Sequence, residues 1–200
     1  MYGPRPLPIR AFTLIELLLV ITVIAILAGL LGGGLSREGD GAALATGRGV
    51  LAAQFSAARA QAALAGREVG LAIVADPDDA ARHLRYLTVV AQDAGVWRAW
   101  HESTGLPANV VILPANAGST LLQGTESAVA LDWDDRLTPC YLIRFEADGS
   151  MRVGGGGELW MSIGEMTPTG LVLRNGARVT RLSLSRYGTW SEIKAEAPSP

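Results

Sequence analysis

Hydrophobic and polar positions follow three regimes along this chain of 200 residues. Residues 12–31, F-T-L-I-E-L-L-L-V-I-T-V-I-A-I-L-A-G-L-L, are apolar at nearly every position. Twenty residues at 1.5 Å each give roughly 30 Å of helix, the thickness of a bilayer's hydrocarbon core, so the run predicts a transmembrane helix. From residue 42 to 64 the period becomes amphipathic: Leu44, Leu51, Phe55, Ala58 and Ala62 fall on one face, with Thr46 and Ser56 opposite. Arg48 and Arg59 stand at the edge of that stripe, where their stems can lie on apolar surface. Gly66 ends the helix. Beyond it, short apolar runs alternate with turn signals such as A-D-P-D-D, E-A-D-G and R-N-G. These predict nine strands, at 68–75, 84–92, 96–102, 110–113, 128–133, 141–146, 158–163, 171–174 and 178–185.

The pattern thus predicts an α+β fold: a long N-terminal, partly transmembrane helix over 12–66, then an antiparallel sheet or sandwich over 67–194. Residues 1–11, with three prolines and two arginines after the initial Met-Tyr-Gly, read as a leader, and 195–200 as a frayed tail. Gly29, Gly32, Gly33, Gly34, Gly39 and Gly41 crowd residues 29–41, and each costs up to about 1 kcal/mol of helix propensity relative to alanine. That stretch is the predicted weak point of the helix, and it reads equally as a juxtamembrane linker.

One residue does not suit the apolar run. Glu16 places a carboxylate inside it, at a cost of about 2.5 to 3.5 kcal/mol unless a partner is supplied. A peptidase cutting between Ala11 and Phe12 would create an amino group four residues from Glu16, on the same helix or offered to a neighbouring copy. A secretory signal needs a shorter apolar core, and an uncut signal anchor leaves Glu16 without a role.

The segment A-F-T-L-I-E-L-L after a short basic leader resembles the class III signal of type IV prepilins and pseudopilins. The resemblance implies cleavage between Ala11 and Phe12 by a prepilin peptidase, N-methylation at Phe12, and pairing of Glu16 with the N-terminus of an adjacent subunit. Ala11 stands where the family usually has glycine. Members of the family also commonly weaken the first helix in the region that corresponds to 29–41. A second, local resemblance lies in A-A-R-A-Q-A-A-L-A-G-R-E-V-G-L-A-I-V and in the order F-E-A-D-G, E-L-W-M-S-I, R-L-S-L-S-R-Y-G-T-W, which are similar to GspH/FimT-type pseudopilins. It implies a pilin-like fold and the role of a minor pseudopilin, a structural subunit of a type II secretion pseudopilus. Its partners would be other pilin or pseudopilin subunits. The alternative within the resemblance is a minor type IV pilin that binds DNA in natural transformation.

Charge bears on both. The formal net charge is −2, and loss of Arg5 and Arg10 with the leader leaves −4, so a general nucleic-acid binder is disfavoured. The C-terminal arginines Arg174, Arg178 and Arg181 could form a small basic patch, while Arg186 and Lys194 are offset by Glu192 and Glu196. Arg5 and Arg10 precede the apolar run and no comparable cluster follows, which puts the N-terminus in the cytoplasm and the rest in the periplasm, as a single-pass inner-membrane protein.

Candidate chemistry is sparse. Cys140 is the single cysteine, read as a buried inert thiol. His83 and His101 lack ligand or triad spacing, and Gly154 to Gly157 precede a strand rather than a helix, so no catalytic residue and no cofactor is assigned. Asp76, Asp78 and Asp79, and Asp132, Asp134 and Asp135, are acidic turns without EF-hand spacing, and no metal is assigned to them. Trp97 and Trp160 are expected in the core, and Trp190 beside Tyr187 at the surface.

Overall fold

The chain's computed structural model describes residues 14–131, 136–152, 156–167, 170–174, 178–187 and 189–193, with backbone alone at 27–38. The leader, Phe12 and the tail lie outside these. Helix α1 is Leu14–Ala65, and its backbone is helical through the glycine-rich stretch. The chain divides into two compact units, residues up to Asp40 and residues from Gly41 onward.

In the second unit the predicted stripe is the wall of the core: Leu44, Leu51, Phe55, Ala58 and Ala62 are all buried. Alanine at two of the five positions lets the helix approach the sheets closely, and Gly47 goes further, with Val110 Cγ1 3.0 Å from where a Cβ would sit. The helix stops because Gly66 takes φ +60°, the left-handed conformation that glycine adopts without a Cβ penalty.

Among the described residues eleven strands follow: β1 Val69–Val74, β2 Tyr86–Asp93, β3 Val96–Ala99, β4 Thr104–Gly105, β5 Val110–Ile112, β6 Glu126–Ala130, β7 Leu137–Phe145, β8 Gly156–Thr167, β9 Gly170–Leu173, β10 Val179–Ser185 and β11 Trp190–Ile193. Two 3-10 turns, Ala115–Ala117 and Thr120–Leu122, precede β6. The plan is the expected α+β one, a long N-terminal helix followed by a β-rich domain, with differences in detail. β4, β11 and both 3-10 turns were not anticipated, and β2 begins at Tyr86 because Leu84 sits at φ 55° and leaves the ladder.

The first sheet runs β1-β7-β6-β3-β2-β4, and β1 also pairs with β2, so five strands close into a ring. Closure includes one parallel pair, β3 with β6 through Trp97↔Val129 and Arg98↔Ala130, a departure from the all-antiparallel expectation. Alternate residues of these strands serve two cores. Leu71, Ile73, Leu87, Val89, Ile143 and Phe145 face α1, where Phe55 and Phe145 meet edge to face at 6.2 Å. Ala72, Val74, Val90, Trp97, Val129, Cys140 and Leu142 fill the inside of the ring. Gly70 belongs to that inner face: an added Cβ would lie 2.5 Å from Leu142 Cδ1. Every residue of β1 is therefore buried, which is why V-G-L-A-I-V shows no polar alternation.

The second sheet runs β11-β10-β8-β5, with β9 pairing the far half of β8. Leu159, Met161, Ile163, Leu182 and Leu184 from β8 and β10 complete the core beneath α1.

Candidate functional site

The first unit carries the residues on which the functional reading turns. Between Leu14 and Ile26 every described residue is solvent-exposed, from 82% at Leu14 to 45% at Val20 among the large hydrophobics. A helix apolar on all sides has no polar face to give to water and belongs among other apolar groups. Thr22 satisfies its hydroxyl locally, donating to the Leu18 carbonyl at 2.7 Å, a bond that masks its polarity. Glu16 lies in the first turn of this segment, the end at which the helix dipole favours negative charge. It is the one ionisable side chain between Leu14 and Ile26. Ala11 and Phe12, the expected cleavage and methylation positions, lie outside the described residues.

Among the described residues no helical stretch is long and apolar enough to cross a membrane. The predicted span of 12–31 extends past the described side chains at both ends.

Residues 8–32 match the family model of the prokaryotic N-terminal methylation motif. The N-terminal segment carries that motif. Most of the apolar run, and Glu16 with it, falls inside the matched segment. The fold is similar to the crystal structure of the type IV minor pilin FimU of Pseudomonas aeruginosa strain PAO1, at 16% identity and a TM-score of 0.43, over 79% of this chain and 90% of that one. No curated protein matches the sequence.

The β-rich domain places the remaining candidates as follows. Asp76, Asp78, Asp79, Arg82, Arg136 and Thr138 line an open cavity of about 430 Å³. Burial alone would raise the Asp79 carboxyl, but the Arg82 hydrogen bonds and charge outweigh it and hold the carboxyl below its ordinary value. Asp76 Oδ1 accepts the Asp78 N–H at 3.1 Å, a turn-closing bond. The Asp76 and Asp79 carboxylates are engaged within their own loop, and no group of three or more metal-ligating side chains occurs among the described residues. Asp132, Asp134 and Asp135 lie outside them.

Cys140 is buried inside the ring, and that burial pushes its thiol up to about 12, so the inert reading holds. His83 is half-buried and its imidazole is held below the ordinary value by that burial. His101 is exposed and stacks on Trp100, over which Arg67 lies 5.4 Å from the ring centroid. Gly156 and Gly157, read as part of a loop, are instead the first residues of β8: Gly156 takes φ 123° with the Leu184 carbonyl against the position of a Cβ. Gly154 lies outside the described residues.

Trp97 is in the core as expected, and Trp190 and Tyr187 are exposed. Trp160 is only half-buried: its indole is covered by the Arg181 guanidinium at 4.2 Å, backed by Gly118, and tied through Nε1 to Glu158 at 2.7 Å. Arg181 is thereby committed to Trp160, while Arg174 and Arg178 are exposed. Glu192 pairs with Arg48 of α1, an ion pair that the sequence pattern did not disclose.

Proposed function

We propose that this chain is a minor pseudopilin, a structural subunit of a periplasmic pseudopilus of a type II secretion system. The prepilin peptidase cuts between Ala11 and Phe12, Phe12 is N-methylated, and residues 12–31 hold the subunit in the inner membrane with the β-rich domain in the periplasm. Glu16 then pairs with the Phe12 amino group of a neighbouring pilin or pseudopilin subunit and draws this one into the filament. The role is structural rather than catalytic.

The observation that carries the reading is one carboxylate in the otherwise uncharged apolar run of residues 12–31, inside a matched methylation motif. Desolvating a carboxylate with an amine beside it is far less unfavourable than desolvating it alone, so the partner's amine acts as an assembly determinant. Glu16→Ala leaves membrane insertion intact and abolishes incorporation into sheared filaments. Mass spectrometry of the native protein shows a chain starting at methylated Phe12. Normal incorporation of the Ala variant, or a native chain that keeps its first eleven residues, would overturn the proposal.

A further inference from the structure

No further inference is drawn: the strongest candidate, the exposed surface patch beside the end of α1 where Arg67 lies over Trp100 and His101 stacks on the same indole, carries nothing, because nothing in the structure shows what covers it.

Discussion

Gly70 and Cys140 both face the interior of the closed ring, where space and polarity are restricted. Gly70→Ala would drive a methyl against Leu142 Cδ1 and against Val90 Cγ2 at 3.0 Å, on a strand that is buried on both faces. Overpacking of this kind costs about 1 to 3 kcal/mol, and urea unfolding of the variant should show a lower midpoint with an unchanged slope. Cys140 has its thiol raised from an ordinary value of 9.0 to about 12, chiefly by burial. The folded state therefore holds its proton more tightly than the unfolded chain. The stability this contributes is complete below pH 9 and is lost as the pH climbs from 9 towards 12. Iodoacetamide at pH 8 should leave Cys140 unmodified in the native protein and alkylate it once urea opens the ring. Rapid native alkylation would contradict the burial. Neither role is visible from the residue alone: a lone cysteine before Y-L-I-R-F reads as a strand thiol, but nothing in its neighbours along the chain says that the strand bends into a ring.

Elements were legible where a single periodicity governed them. The α1 stripe was readable at every position because a helix packed on one side repeats its apolar residues at fixed spacing, and all five predicted residues are buried. Phe55 is the largest of them and meets Phe145 from β7. Phe55→Ala should destabilise the domain by about 3 to 5 kcal/mol, measured by denaturant unfolding, since it removes both burial and the edge-to-face contact. A loss under about 1 kcal/mol would mean that the helix is not the wall it is described as being. β11 escaped sequence reading because all four of its residues are exposed and carry no alternation. β9 was legible, anticipated at 171–174 and found at Gly170–Leu173. The ring was hidden for a different reason. Its parallel β3–β6 contact joins segments separated by β4, β5 and both 3-10 turns, and long-range pairing of that sort leaves no local trace.

For the molecule as a whole, the candidate site was more legible than the fold around it. The N-terminal methylation motif is a contiguous run in which one carboxylate stands out against its neighbours, so residue order alone exposes it. The β-rich domain depends on which strands meet, which order alone does not fix. Its stability should be distributed accordingly. β1 contributes to the core under α1 through Leu71 and Ile73 and to the ring interior through Ala72 and Val74, with hydrogen-bonded neighbours on both edges. Hydrogen exchange should therefore find the slowest amides in β1 and the adjoining part of β7, and the fastest strand amides in β9 and β11. Slow exchange confined to the second sheet would show that the ring is not the stable centre of the domain.

The junction at Gly66 gives this arrangement a further consequence. α1 leads through a turn directly into β1, so the C-terminal end of the helix is tied to a strand that has hydrogen-bonded partners on both edges. To part helix and sheet at that junction, two antiparallel ladders, β1 with β2 and β1 with β7, would have to give way together.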